Sequence, residues 1–402
     1  MQFSIPLRRN PERAAHFLFC GFMIFLAAFL LPLSTKAVNN IYYTLVLLPL
    51  VFTLDRETLR DFHCSPLVNL WYALLGYQLL SYAWSIEYSE EFVPNLKRLF
   101  YLYGLGLVIF VLVRSGKPLS RWVIPAAPLL IALAAIGNML WFYSAHDFPQ
   151  ARLVGASRIS NPIFFGSIAA AFSAAALVQW HGWSRRYRLL LLLAVAVNLG
   201  IIYLSQSRTA LLGVGVCIGS LLLVLPRLRW LALACAAALG LLALVVDWQP
   251  LLARGMSYRP DIWLAQWQRV VESCSALFGC GLGVNPQITL EPTHNLHHPH
   301  SIYMAWVVYG GLLGLAAYLS VLGLILRASL KVERLLPWVA LLLVGLGATM
   351  VDGDKLLESP KALWLLVHLP VAVLLAEHAR ARRKDAPVTA GDPLRSDAGA
   401  VQ

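Results

Sequence analysis

The sequence predicts an all-α integral membrane protein with about twelve transmembrane helices and a large outer loop between the ninth and tenth. First, 59% of its 402 residues are apolar and only 13% are charged, whereas soluble domains carry about 25% charged residues. Second, apolar stretches long enough to cross roughly 30 Å of hydrocarbon recur from end to end. Third, the basic residues are distributed unequally between alternate loops.

Twelve apolar stretches are candidate transmembrane helices, and several of them are short for a full crossing. An even number of crossings puts both termini on the same side of the membrane. The stretches are 14–33, 38–54, 66–86, 99–113, 122–143, 161–181, 189–204, 209–225, 230–246, 301–326, 335–351 and 362–379.

The positive-inside rule orients these helices. The loops on the side of the termini hold 21 of the 32 lysines and arginines, and the whole formal charge of +12 falls on that side. We therefore expect this side, with both termini, to be cytoplasmic. Because topology accounts for the basic balance, it gives no reason to expect nucleic-acid binding.

Two outer loops are long, residues 144–160 and 247–300. Within the second, RPDIWLAQWQRVVES (259–273) has Pro260 suited to a first helical turn and apolar residues at helical spacing. It predicts an amphipathic helix at the membrane surface, anchored by Trp263 and Trp267. The expected organisation is transmembrane helices over 1–246, this loop over 247–300, transmembrane helices over 301–379 and a disordered cytoplasmic tail over 380–402.

Six cysteines are scattered along the chain, and only Cys274 and Cys280 share an outer loop. They could form a disulfide if the outer side is oxidising, and no zinc-binding spacing is present. Small residues at GxxxG spacing, Gly215 with Gly219 and Gly310 with Gly314, predict close helix packing.

Charged side chains are rare in membrane interiors, so their positions are informative. No acidic or basic residue lies at the middle of a predicted span, which argues against an ion-coupled transporter, and His368 is best interpreted as a hydrogen-bonded core residue. Arginines do stand at outer helix ends, namely Arg208, Arg254 and Arg259. Taken singly, each could simply reach toward lipid headgroups, but guanidinium also matches phosphate oxygens well.

The stretch HNLHHPHSIYMAWVVYGGLLG (294–314) carries four histidines, His294, His297, His298 and His300. Three interpretations of them are open. They could bind a metal, they could be solvated residues of a polar loop, or one could act as a base that accepts a hydroxyl proton. The residue types alone do not indicate which of the four histidines would be that base.

Several motifs resemble those of bacterial O-antigen ligases. HSIYMAWVVYGGLLG fits the family's outer-loop pattern of a histidine, a small polar residue, nine residues and a glycine, giving His300 and Gly311. When the same pattern is started from His294, Ala305 stands where the pattern requires a glycine. SRTALLG (207–213) is similar to the family's Arg-x-x-x-Leu motif at Arg208, YRPDIW…FGCGLG (258–283) to its Arg-x-x-x-Trp segment at Arg259, and RLVGASRISNPIFFG (152–166), more weakly, to an upstream segment.

The resemblance implies a GT-C-like fold and a periplasmic active site in the bacterial inner membrane. Such enzymes transfer a glycan from undecaprenyl diphosphate to lipid A–core oligosaccharide without a cofactor. On this basis His300 is the expected base, Arg208 and Arg259 hold the diphosphate, Arg254 is a weaker candidate, and no metal is expected. Two alternatives remain: an O-antigen polymerase with the same donor, and a lipid or polysaccharide transporter.

Overall fold

The computed structural model describes residues 11–385 apart from 88–89, 118, 156, 246–257, 291–293 and 297. The described chain is almost entirely helical, with one antiparallel hairpin, β1 (Ile288–Leu290) and β2 (His294–Leu296), in the large outer loop. The helices are α1 (Pro11–Ala28), α2 (Thr35–Ile41), α3 (Leu48–Thr53), α4 (Arg56–His63), α5 (Pro66–Leu80), α6 (Phe92–Arg114), α7 (Leu119–Tyr143), α8 (Pro162–Val178), α9 (Arg185–Leu204), α10 (Arg208–Val224), α11 (Arg229–Val245), α12 (Arg259–Ser273), α13 (Ile302–Ser329), α14 (Leu336–Thr349) and α15 (Leu369–Asp385). A π-helical turn over Tyr42–Leu47 joins α2 to α3, and another over Trp364–His368 leads into α15.

Every one of the twelve predicted apolar stretches overlaps one or more helices, although the ends differ by several residues in places, as for the stretch 14–33 and α1. Among the described residues, five helices are long and apolar enough to cross a membrane, or six if the bent pair Thr35–Thr53 and Arg56–His63 counts as one span. Three further apolar helices are shorter. The chain is therefore a helical membrane protein, while the number of twelve crossings stays a prediction.

Helix α14 lies at the centre of the bundle. Every residue from Leu336 to Thr349 is buried, and the helix packs mainly against α8 and α10. A helix that is apolar on all sides is expected inside a large protein or among other helices. Packing against α14 therefore fixes the outer ends of α8 and α10 relative to one another.

Some of the glycines at close helix contacts differ from the predicted ones. Among the described residues, a Cβ at Gly215 or Gly219 would meet nothing within 4 Å, so the predicted packing role of this pair is wrong. Instead, a Cβ at Gly213 would lie 2.5 Å from the carbonyl oxygen of Val344, and one at Gly347 would lie 2.8 Å from Gly213 Cα. Gly213 lies two residues before Gly215, on a different face of α10, and only tertiary packing decides which face meets α14.

On the predicted inner side, ion pairs tie α15 to α4 and α6. Arg383 pairs with Glu57 at 2.7 Å and with Asp61 at 3.0 Å, and Arg114 approaches the same two carboxylates. Helix α15 continues to Asp385. The beginning of the tail predicted as disordered, residues 380–385, is therefore helical because Arg383 has partners there, and residues 386–402 lie outside the described residues.

Candidate functional site

His300 immediately precedes α13, the helix that carries the HSIYMAWVVYGGLLG motif. Ser301 is the N-cap of this helix, and its hydroxyl accepts a hydrogen bond from the Met304 N–H at 3.3 Å. The small polar residue of the motif therefore ends the loop and starts the helix. His300 itself has a φ of 52°, a left-handed conformation that is uncommon for residues other than glycine. A strained backbone of this kind is often found where a side chain must point in one particular direction.

Asp352 faces His300 from the loop that follows α14. Its Oδ1 lies 3.6 Å from His300 Nδ1 and accepts a hydrogen bond from the Gly353 N–H at 2.8 Å. The Asp352 side chain is only 4% exposed. The motifs gave no indication of Asp352, because it is distant in sequence and the only local signal is an acid at the outer end of an apolar stretch.

The His298 ring lies close to the His300 ring, with centroids 3.8 Å apart and an interplanar angle of 40°. Its Nδ1 accepts a hydrogen bond from the His300 backbone N–H at 3.2 Å. Burial lowers the pKa of His298 below its ordinary value, and the neighbouring His300 lowers that pKa further, while Asp352 and Asp354 act in the opposite direction. Of the other two histidines, His294 lies in β2 and His297 lies outside the described residues.

The motif glycine Gly311 breaks helix α13. Its φ of 67° and ψ of −170° are not helical, and a Cβ there would lie 2.2 Å from the Leu277 carbonyl oxygen. The break frees backbone groups that pair with the segment 274–280: the Leu312 N–H donates to the Ala276 carbonyl at 3.0 Å, and the Cys280 N–H donates to the Val308 carbonyl at 2.7 Å. Only glycine fits this position, since it needs both a positive φ and the space of the missing side chain.

Cys274 and Cys280 form a disulfide, which closes the segment that docks into this break. The Gly-x-Gly that follows also makes close backbone contacts. A Cβ at Gly281 would lie 2.5 Å from the Ser81 carbonyl oxygen, and one at Gly283 would lie 2.7 Å from the Glu87 carbonyl oxygen. These motif residues thus hold the large loop against the end of α5 and the turn after it.

Helix α12 spans Arg259–Ser273, the same residues as the predicted amphipathic helix, and begins with Pro260 in its first turn. The Trp263 indole N–H donates to the Pro299 carbonyl at 3.1 Å. The first turn of α12, where Arg259 stands, is therefore fixed beside the residue that precedes His300. The side buried against the protein consists of Ile262, Gln266 and Val270, while Trp267 is 36% exposed.

Arg208 is the first residue of α10, whose N-cap is Ser207. The contact between Gly213 and Gly347 fixes its position relative to α14. At about 1.5 Å rise per residue, Arg208 lies about 7.5 Å beyond this contact on α10, toward the predicted outer side. Asp352 follows the end of α14 in the same direction, so the two residues stand at the same end of two packed helices.

The upstream segment that resembles the family more weakly packs beside Arg208. The Leu153 N–H donates to the Leu204 carbonyl at 2.9 Å, and Arg152 Nε donates to the Ser205 carbonyl at 2.8 Å. Asn161 then caps α8. These bonds hold the segment against the turn that leads into α10.

Sequence-predicted residues thus fall into three groups. The segments that carry His300 and Arg259 are joined by the hydrogen bond from Trp263 to the Pro299 carbonyl, and Arg208 stands on a separate helix at the same end of the bundle. Arg254 lies outside the described residues. The arrangement offers imidazole and carboxylate groups suited to moving a proton, and guanidinium groups suited to binding an anion such as phosphate.

No protein-family model matches this chain. It is similar to a curated protein named O-antigen ligase from Pseudomonas aeruginosa, with 29% identity over 345 residues that cover 84% of each chain. Similarity across most of both chains agrees with the motifs around His300, Arg208 and Arg259. The chain therefore resembles this O-antigen ligase along most of its length.

Proposed function

We propose that this protein is an O-antigen ligase of the bacterial inner membrane. It transfers O-polysaccharide from undecaprenyl diphosphate to lipid A–core oligosaccharide on the periplasmic side, with both termini in the cytoplasm. The observation that carries the proposal is the pairing of His300 with Asp352, 3.6 Å apart, at the end of the bundle where Arg208 and Arg259 also stand.

His300 is the group that removes the acceptor's proton. A sugar hydroxyl becomes a competent nucleophile when its proton is taken as it attacks the anomeric carbon, and a neutral imidazole can accept that proton. The resulting imidazolium faces the Asp352 carboxylate, which stabilises its positive charge. Direct attack breaks the bond between the anomeric carbon and the phosphate oxygen and inverts the configuration at that carbon.

The leaving diphosphate gains negative charge as this bond breaks. Guanidinium groups stabilise such charge through paired hydrogen bonds and a fixed positive charge, and they need neither a metal nor a general acid to do so. Arg208 and Arg259 serve this role, and Arg254 is a third candidate. A donor carried on a lipid also accounts for a site at the end of a helical bundle.

The test is a glycosyl-transfer assay with purified full-length protein, polyprenyl-diphosphate-linked glycan and lipid A–core, in the presence of chelator. We expect a product of glycan joined to lipid A–core, and we expect His300→Ala to reduce its rate by about 10²-fold or more. The matched control is His146→Ala, which removes another imidazole predicted to be on the same side, where His146 stacks on Phe142.

Offering two acceptors in the same assay separates the proposal from its alternatives. Product on lipid A–core supports the ligase, whereas elongation of one lipid-linked glycan by another would identify a polymerase. Movement of the donor across vesicles without a new glycosidic bond would identify a transporter. Full activity of His300→Ala would remove His300 from the mechanism.

A further inference from the structure

Three potential metal ligands converge beside the proposed base. One ring nitrogen each from His298 and His300 and one carboxylate oxygen of Asp352 lie within 4.8 Å of one another. They come from two separate loops, one before α13 and one after α14. The fixed separation of His300 Nδ1 and Asp352 Oδ1, 3.6 Å, is close to the roughly 3.3 Å expected between two ligands on a tetrahedral zinc ion with bonds of about 2.0–2.1 Å.

Asp352 supplies an independent indication that this cluster can take a ligand. Its Oδ1 accepts the Gly353 N–H, but its Oδ2 is buried and has no hydrogen-bond partner among the described residues. A buried carboxylate oxygen without a partner is costly, because the protein does not replace the water it has lost. A cation bound at Oδ1, between Asp352 and the imidazoles, would neutralise the negative charge that the carboxylate shares over both oxygens, including Oδ2.

The ligand types indicate which cation fits. Two imidazoles and one carboxylate suit zinc and similar transition-metal ions, whereas magnesium and calcium prefer oxygen ligands. Three protein ligands leave one position of a tetrahedral zinc ion open to water. Binding would replace the hydrogen bond that His298 Nδ1 accepts from the His300 N–H, since a neutral imidazole has a single lone pair for either purpose.

We propose that His298, His300 and Asp352 form a binding site for a zinc-type divalent ion, and that the ion inhibits glycosyl transfer. The inhibitory part rests on the proposed function, in which His300 is the base. A neutral imidazole that gives one nitrogen to a metal carries its proton on the other nitrogen. Metal-bound His300 therefore has no lone pair left with which to accept the acceptor's proton.

Metal binding is one of three interpretations that the sequence leaves open for these histidines, whereas the resemblance to O-antigen ligases implies no metal. The site proposed here departs from that implication, and its metal opposes catalysis. It also gives His298 a chemical role that the motif around His300 does not supply.

The test measures zinc binding and zinc inhibition on purified full-length protein. Calorimetry with Zn²⁺ should show one ion bound per chain, and Co²⁺ in its place should give the absorption of a tetrahedral site. We expect His298→Ala to weaken binding at least tenfold, with His298→Gln as a second variant in case the first does not fold. His146→Ala, with its imidazole outside the cluster, should bind zinc as the wild type does.

The glycosyl-transfer rate of the wild type and of each variant is then measured with Zn²⁺ and compared with the rate of the same protein in chelator. Saturating Zn²⁺ should lower the wild-type rate at least tenfold, reversibly on adding chelator, and the concentration needed should rise at least tenfold in His298→Ala. Equal zinc binding by wild type and His298→Ala would overturn the site. Full activity with the site occupied would overturn the inhibitory role. Zinc binding is measured without substrate. A protein that shows no glycosyl transfer would therefore count against the proposed function, and the zinc site would still be judged from the binding data.

Discussion

Asp352 Oδ1 lies 3.6 Å from His300 Nδ1, although the two residues belong to loops at the ends of different helices. This separation is too long for a strong hydrogen bond but suits an ion pair that forms when His300 gains a proton. We therefore expect Asp352→Asn to lower kcat about tenfold or more while changing KM little, because in the proposed mechanism the positive charge that Asp352 stabilises develops only during the reaction.

Steady-state kinetics with varied acceptor would measure this effect. The isosteric asparagine keeps the size of the side chain, so a folded protein with reduced kcat indicates a lost charge. Asp261→Asn, at an exposed position of α12, is the matched control for losing one carboxylate. A rise in KM at unchanged kcat would show instead that Asp352 acts in substrate binding.

The contact between Gly311 and the disulfide-closed segment predicts a second effect, on stability. Gly311→Ala would place a Cβ 2.2 Å from the Leu277 carbonyl oxygen at a residue with φ of 67°. We expect a loss of about 2 kcal/mol or more, since a strained φ and a backbone clash add together. Thermal unfolding in detergent would show this as a lower Tm.

Gly323→Ala is the control for that substitution. Gly323 lies in the same helix, and a Cβ there would meet no atom of the described part of the chain within 4 Å. Alanine also favours a helix over glycine by about 1 kcal/mol in water, so Tm should stay the same or rise. Equal loss of stability in both variants would show that the break at Gly311 is not required.

The sequence located residues whose roles are local and did not locate those whose roles depend on packing. The spacing from His300 to Gly311 lies within one loop and one helix, so a motif can record it. Asp352 meets His300 only because α13 and α14 pack together, and no pattern near Asp352 indicates that contact. The same reason explains Gly213, which meets Gly347 while the regularly spaced Gly215 and Gly219 do not.

The disulfide predicts a third effect. Because Cys274 and Cys280 close the segment that docks into the break of α13, replacing both with serine should lower stability by about 2 kcal/mol. Reductant should lower the Tm of the wild type toward that of the double variant and leave the variant unchanged. Cys64→Ser removes an exposed free cysteine and is the control. A wild-type Tm that does not respond to complete reduction would contradict this role.

Glu358, in the loop between α14 and the π-helical turn, predicts a dependence of stability on pH. Burial raises the pKa of Glu358 from an ordinary 4.5 to about 7; Lys361, Arg158 and Arg98 oppose this shift, and Asp354 adds to it. Between pH 4.5 and about 7, the folded protein therefore keeps a proton on Glu358 that the unfolded chain has already released. This contribution is fully present below pH 4.5 and is lost as pH rises through about 7.

Comparing Glu358→Gln with the wild type isolates that contribution, because glutamine does not titrate. The difference in Tm, wild type minus variant, should fall steadily as pH rises from 4.5 to about 7 and should level off above that range. Unfolding in detergent at a series of pH values gives the curve, and Glu272→Gln, at an exposed position of α12, controls for removing one carboxylate. A difference that is constant from pH 4.5 to 8 would mean that Glu358 has the same proton affinity in the folded and unfolded states.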